Sequence, residues 1–305
     1  MNHKDAGDIF VNTTGNFNAD LAASLGQISS ESTGARELEG HDEGYGLAKE
    51  LVLKAGEFIK DRVQSSDYKS DTQWKADNTP VTPIDIEVNK IVIEAIKRAF
   101  PDDKIYGEEE STEGNSEYGY TWILDPVDGT QALGKLDTFT ICLARLDKDG
   151  QPIFSFVYNP SRDELFVARK GEQSTVNGRP LKVSSRDTVK SSYIHFGSGL
   201  RFEDLATNGV AYDRLEGQGA KILNTRSLAF GCVEVAQGEF DGAFVGVKTP
   251  FEAASVKLLV EGAGGKVSDL YGDDPGRLDG EIRGLIVSNG LIHEALVASL
   301  QKAGS

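Results

Sequence analysis

The chain has 305 residues, enough for one large domain or two tightly joined ones. Hydrophobic residues make up 39% and charged residues 26%, the balance of a globular protein. The net charge of −16 argues against nucleic acid as a partner, because phosphate backbones attract basic surfaces; no run approaches the roughly 20 apolar residues of a membrane span.

Residues 1–43 are rich in Asn, Ser, Gly and acids, with weak apolar spacing. They predict a flexible arm with a short helix around Leu21–Leu25. Met1–Asp8 has no apolar run of signal-peptide length behind it, so the expected location is the cytoplasm. From Gly46 onward, Leu47, Leu51, Val52, Ala55, Phe58, Ile59 and Val63 recur at helical spacing. Ser65–Thr79 is polar and reads as a loop. Pro83–Ala99 predicts a second helix with Ile84, Val88, Ile91, Val92, Ala95 and Ile96 on one face, stopped at Pro101-Asp102.

Thr121–Leu124 reads as a buried strand that ends at Asp125-Pro126. Thr138–Leu146, Pro152–Tyr158 and Leu165–Ala168 follow as strands, with turns at Asp149-Gly150, Asn159-Pro160 and Val176–Arg179. A second unit is expected after about Val183, which divides the chain into an arm (1–43), a first α+β unit (44–183) and a second (184–305). Its predicted strands are Ser192–Phe196, Gly242–Val247 and Gly284–Ser288. Its predicted helices are Ser227–Gln237, Ala253–Gly262 and Leu291–Lys302. Interleaved helices and strands place the fold in the mixed α/β class, in layers. Cys142 and Cys232 sit among apolar neighbours without metal-knuckle or redox spacing, so they read as buried free thiols in a reducing compartment.

The chemistry centres on Asp125-Pro126-Val127-Asp128-Gly129-Thr130. An aspartate at the end of a buried strand is costly unless paired or bound to a cation. Pro126 fixes the backbone so that Asp125 and Asp128 can converge, with the Val127 carbonyl between them. Gly129 permits close backbone approach. If a helix starts there, the amides of Gly129 and Thr130 face an anion such as phosphate. Hard carboxylate and carbonyl oxygens suit Mg²⁺. The segment alone is also compatible with a capped turn. Glu108-Glu109-Glu110, after Ile105-Tyr106-Gly107, reads by itself as an exposed acidic run. Asp85 and Glu252 read singly as acids at helix starts, stabilised by the dipole. The joint occurrence of all these acids points to a site.

With these blocks, about Gly46 to Ala303 resembles the inositol monophosphatase family of lithium-sensitive phosphatases. Pro80-Val81-Thr82 to Asp85 is similar to the family's first acidic block, Gly107-Glu108-Glu109 to its Gly-Glu-Glu element, and Asp125–Thr130 to its signature. Tyr158-Asn159-Pro160, Arg162–Phe166 and Asn177–Leu181 are similar to bacterial members. The resemblance implies a layered α/β/α/β/α sandwich, a homodimer, and two or three Mg²⁺ ions. It implies that Glu108, Asp125 and the Val127 carbonyl hold one ion, and that Asp125, Asp128 and Glu252 hold a second. A third, weaker ion would use Glu108 and water. Asp85 and Thr130 would orient the attacking water, and Gly129 and Thr130 would cradle the phosphate of a small phosphorylated metabolite. Lys75 would lie in a loop that closes over the site. No histidine is required, and His3, His41, His195 and His293 lack ligand-like spacing.

Three positions depart from the family pattern. Phe251-Glu252-Ala253-Ala254-Ser255 stands where the family has Trp-Asp-x-Ala-Ala, so a glutamate must reach the metal from further back, as in the related fructose-bisphosphatases. Val245 stands where inositol-phosphate enzymes carry a substrate-binding glutamate. Arg226 replaces a glycine at the substrate wall, either to meet a second anionic group or to pair with a surface acid. Inositol monophosphatase is therefore the default activity. Phosphatases for 3′-phosphoadenosine 5′-phosphate, histidinol phosphate or a sugar (bis)phosphate are the alternatives, and a non-catalytic metal- or ligand-binding homologue is the competing class.

Overall fold

The structure, a computed structural model, describes residues 44–64, 72–75, 80–114, 119–197, 206 and 208–301. The expected arm with its short helix, His3 and His41 lie outside these residues. The chain divides into two units, Met1–Glu50 and Leu51–Ser305. Of the first, residues 44–50 are described; they begin helix α1 (Tyr45–Gln64).

The second unit contains two large sheets. Helix α2 (Pro83–Ala99) buries Ile84, Val88, Ile91, Val92, Ala95 and Ile96, as the spacing predicts. The first sheet has eight strands in the order β10-β9-β8-β7-β6-β5-β3-β4. These are β3 (Lys104–Gly107), β4 (Ser111–Thr112), β5 (Thr121–Asp128), β6 (Thr140–Leu146), β7 (Pro152–Asn159), β8 (Glu164–Arg169), β9 (Thr175–Val176) and β10 (Arg179–Pro180). All neighbours are antiparallel except the parallel pair β3 and β5. The predicted turn at 176–179 is the β9–β10 hairpin, with Asn177 and Gly178 at φ 48° and 76°. Such angles fit the tight hairpin turn that Asn-Gly favours.

The second sheet has the order β12-β11-β13-β15-β14. Its strands are β11 (Tyr193–Phe196), β12 (Lys221–Leu223), β13 (Gly242–Val245), β14 (Lys266–Ser268) and β15 (Leu285–Ser288). Helices α4 (Leu228–Gln237) and α5 (Ala253–Gly262) lie between the sheets. One continuous core there joins Ile123, Val157 and Phe166 of the first sheet to Val233, Val256 and Val287 across the helices. A second core packs β11, β13 and β15 against α3 (Asn208–Gly217) and α6 (His293–Leu300). Helix α2 packs on β3 and β5, and Arg62 of α1 reaches Glu87 of α2 at 3.7 Å. The order is α, β, α, β, α in layers, as expected.

The differences from expectation are local. The polar stretch 65–79 contains a two-residue strand, β1 (Gln73–Trp74), paired antiparallel to β2 (Pro80–Val81). With Trp74 exposed, that pair leaves no apolar alternation to read. Helix α3 and strands β12 and β14 were not anticipated: α3 opens on Asn-Gly, and the strands have three residues each. Strand β5 does not stop at Asp125. It runs on to Asp128, with a register irregularity between the two aspartates.

A buried ion pair sits beside strands β5 and β6 of the first sheet. Asp103 Oδ2 accepts from Trp122 Nε1 at 2.7 Å, and from Arg145 Nε and Nη2 at 3.1 and 2.8 Å. The Arg145 guanidinium lies 4.1 Å from the Tyr120 ring centre and 4.6 Å from that of Phe100. Removing one partner of a buried pair strands the other charge in low dielectric. Asp103→Ala should lower unfolding stability by about 3–5 kcal/mol, read as a lower urea midpoint at unchanged slope.

His293 is buried between Ser288 Oγ at 2.8 Å and Ser268 Oγ at 2.9 Å. Burial, then the Lys266 charge, lower its pKa from 6.5 to about 4. Between those values the unfolded chain binds the proton and the folded one does not, so this residue's contribution is complete above 6.5 and falls as pH drops towards 4. His293→Gln should flatten that part of the stability–pH curve, measured by urea unfolding at a series of pH values.

Candidate metal centre

Asp125 and Asp128 are three residues apart, which in a regular strand puts their side chains on opposite faces. The irregularity in β5 changes this. Asp125 pairs with Cys142 and Asp128 with Thr140, so three steps on β5 span two on β6. Pro126 lies inside this stretch and has no N–H to give to a ladder, which suits a bulge. The added residue restores the phase, and the two carboxylates converge. Glu252 joins them from the N-cap position of α5. One carboxylate oxygen from each of Asp125, Asp128 and Glu252 lies within 4.8 Å of the other two. The longer side chain at 252 therefore reaches the aspartates.

Each acid is held differently. Asp125 Oδ1 accepts from the Val127 N–H at 3.0 Å. Asp128 faces the start of α4. Its Oδ1 accepts from Leu228 N at 3.0 Å; its Oδ2 accepts from Ala229 N at 2.8 Å, Thr140 Oγ1 at 3.1 Å and the Ser227 hydroxyl. Glu252 Oε2 is buried with no hydrogen-bond partner among the described residues. Burial pushes Asp125 and Glu252 well above the ordinary carboxylate range. For Asp125, the charges of Glu108, Asp128 and Glu252 add to this; for Glu252, those of Asp128 and Glu108. Burial also raises Asp128, against the hydrogen bonds from Ser227, Leu228 and Ala229.

Asp85 stands beside this group. At the third position of α2, its Oδ2 accepts from the Thr82 N–H at 2.8 Å and from the Thr82 hydroxyl. This closes the helix start as a capping box does. Its Oδ1 accepts from Thr130 Oγ1 at 2.8 Å. Burial raises its pKa against those bonds. Thr130 Oγ1 is also 3.1 Å from the Val127 carbonyl. Gly129 has φ +86°, and a Cβ there would lie 2.8 Å from Ser227 Cβ and 2.9 Å from the Arg226 carbonyl, so only glycine fits. Residues after it form successive turns, Ala132 N to Gly129 O and Leu133 N to Thr130 O, so of the conformations the sequence left open at Gly129 the chain takes turns and not a helix start.

Glu108 borders the same cavity of about 470 Å³ as Asp125, Asp128, Gly129, Thr130 and Glu252, but it is outside the group of three. Its Oε1 and that of Glu109 each accept from Lys75 Nζ at 2.7 Å. Burial disfavours the Lys75 ammonium, but the two glutamates outweigh it and raise its pKa. Arg226 borders the cavity too. Val245 is buried in the core between the sheets, and Val247 borders the cavity instead. Thr140 and cavity-lining His195 were not anticipated; Ser227, bonded like Thr140 to Asp128, was visible as the first residue of a predicted helix and within the substrate-wall segment Arg226–Ala229, without its role toward Asp128.

Three buried carboxylates with one orphaned oxygen and no cation bonded to them among the described residues fit a hard divalent ion such as Mg²⁺.

The sequence model of the inositol monophosphatase family matches residues 41–305. The chain is similar to Nus factor SuhB of Escherichia coli strain K12, with 29% identity over 258 residues, 84% of this chain and 94% of that protein. It is 33% identical over 215 residues to a putative Nus factor SuhB of Neisseria meningitidis serogroup B, which is 69% of this chain and 81% of the relative. Among solved structures, the Thermotoga maritima IMPase superposes with a TM-score of 0.73 at 27% identity, covering 84% of this chain and 95% of that one.

Repulsion within the acidic group predicts opposite effects of one substitution in two conditions. In EDTA, Asp125→Asn should raise the thermal midpoint by removing a buried like charge. In excess Mg²⁺ the unsubstituted protein should gain stability through binding, and D125N should gain much less. A D125N protein that gains as much from Mg²⁺ would remove Asp125 from the centre.

Proposed function

The chain belongs to the inositol monophosphatase family, and on that basis we propose that it is a Mg²⁺-dependent phosphomonoesterase acting on a small phosphorylated metabolite, with inositol phosphate as the first substrate to test. The observation that carries the reading is the group Asp125, Asp128 and Glu252 beside the Asp85–Thr130 hydrogen bond. In this proposal those three, with Glu108 and the Val127 carbonyl, hold two or three Mg²⁺ ions. Bound there, Mg²⁺ supplies activation of water and charge neutralisation at the leaving oxygen.

The chain's own residues do the rest. A hydroxyl has one proton, so Thr130 Oγ1, donating to Asp85 Oδ1, keeps its lone pairs for a water. Asp85 is locked by both donors of Thr82 and receives the proton that moves through Thr130. Gly129 and Thr130 line the cavity where backbone approaches the phosphate. Lys75 balances Glu108 and Glu109 at the rim. The expectations of a homodimer and a cytoplasmic location belong to the same proposal. A second reading is favoured by the curated relatives named Nus factor SuhB: a role as such a factor, independent of phosphate release.

A panel of inositol 1-phosphate, 3′-phosphoadenosine 5′-phosphate, histidinol phosphate and fructose 1,6-bisphosphate, with and without Mg²⁺, separates the two. Phosphate release that requires Mg²⁺ is expected; no release from any of them with Mg²⁺ present would sink the enzyme reading. On a turned-over substrate, Asp85→Asn and Thr130→Val should each lower kcat by roughly 10²–10⁴-fold, the range for a positioned general base.

A further inference from the structure

The lining of the cavity contains two chemically different groups of residues. One is the acids Asp125, Asp128 and Glu252; the other includes His195, Asn224 and Arg226. With 48 acidic and 32 basic residues in the chain, an exposed cation has many acids to meet. Arg226 nevertheless has no carboxylate partner among the described residues. Its Nη1 donates to the neutral Gln131 Oε1 at 3.2 Å. Lys75, the other cation bordering the cavity, is already balanced by two glutamates.

The backbone points the same way. Arg226 has φ +66°, a conformation glycine adopts freely and residues with a side chain adopt rarely. It is held there by Asn224 Oδ1, which accepts from Arg226 N at 2.9 Å, and by Thr138 Oγ1, which donates to the Thr225 carbonyl at 2.6 Å. The next residue, Ser227, donates to Asp128, so the Arg226 backbone is anchored one residue from the acidic group. Retaining strain to present a side chain is characteristic of binding sites.

His195 adds an independent sign in the same lining group. It is fully buried, its ring lies where a Cβ on Gly231 would be, and its Nδ1 is 3.4 Å from Thr225 Oγ1. Its Nε2 has no partner among the described residues, and the residue borders the cavity. Burial lowers its pKa to about 4, so the ring is neutral.

We infer that Arg226 is a specificity-determining residue that reads a second anionic group, phosphate or carboxylate, on a substrate whose first phosphate sits at the acidic group. The inference rests on the phosphatase reading of those acids. A guanidinium forks onto such a group with two parallel hydrogen bonds, and of the two cations bordering the cavity Arg226 is the one not already paired with glutamates.

The test compares matched pairs: 3′-phosphoadenosine 5′-phosphate against adenosine 3′-monophosphate, and fructose 1,6-bisphosphate against fructose 1-phosphate. Malonyl- and acetyl-type esters of one phosphorylated scaffold serve as the carboxylate arm. The expected result is a kcat/KM ratio favouring the doubly anionic member of at least one pair by on the order of tenfold. Arg226→Gln should collapse that ratio towards one, and Arg226→Lys should restore part of it. A ratio near one in the unsubstituted protein for every pair overturns the inference, as does an R226Q variant that keeps the ratio. If no pair releases phosphate, the phosphatase reading fails separately, and calorimetric titration of the same pairs in Mg²⁺ decides: a binding ratio lost in R226Q sustains the inference, and equal or absent binding overturns it.

Discussion

Asp125, Asp128 and Glu252 carry three like-charged groups out of water and bring an oxygen of each within 4.8 Å of the others. Isolated buried carboxylates are expensive, and a clustered set more so. The surrounding chain offers little relief. Asp128 receives four donors, Asp125 one, and Glu252 Oε2 none among the described residues. The structure holds this repulsion in place because each acid belongs to an element packed for other reasons. β5 is buried along its whole length, and α5 lies in the core between the sheets.

The layering also fixes who meets whom. Asp128, on the first sheet, bonds Leu228 and Ala229 at the start of α4, which packs between the sheets. A helix start favours an anion, so the same contact orients Asp128 and ties the first sheet to the middle layer. Asp85 does comparable work at α2: it closes the helix start through Thr82 and reaches Thr130 with its other oxygen. Stability and geometry of the site share the same hydrogen bonds.

Much of this was legible from residue patterns. The helices at Pro83–Ala99 and Ala253–Gly262 appear with the bounds their periodicity predicts, and the Asn-Gly turn forms its hairpin. The proximity of the acidic blocks was legible only through resemblance, since no spacing links residue 85 to 252. What was missed is short or exposed: three-residue strands carry too few positions for alternation, and the Gln73–Trp74 pair faces outward. Arg226 was a named departure with two possible uses. Its lack of a carboxylate partner among the described residues argues against the surface ion pair.

By itself the sequence determined most element types, the layered class and a hexapeptide with two aspartates, a carbonyl and a glycine within six residues, because these depend on local periodicity and on the fixed φ of Pro and the freedom of Gly. Tertiary structure alone decided that β5 continues through Pro126 with an irregular register, turning Asp125 and Asp128 to one side, and that Glu252 reaches them from a helix 124 residues further on in number from Asp128. It also decided that Gly129 opens turns and not a helix, that Val245 is core, and that His195 borders the cavity. Those outcomes depend on which surfaces pack together, and packing partners far apart in the chain leave no mark on local pattern.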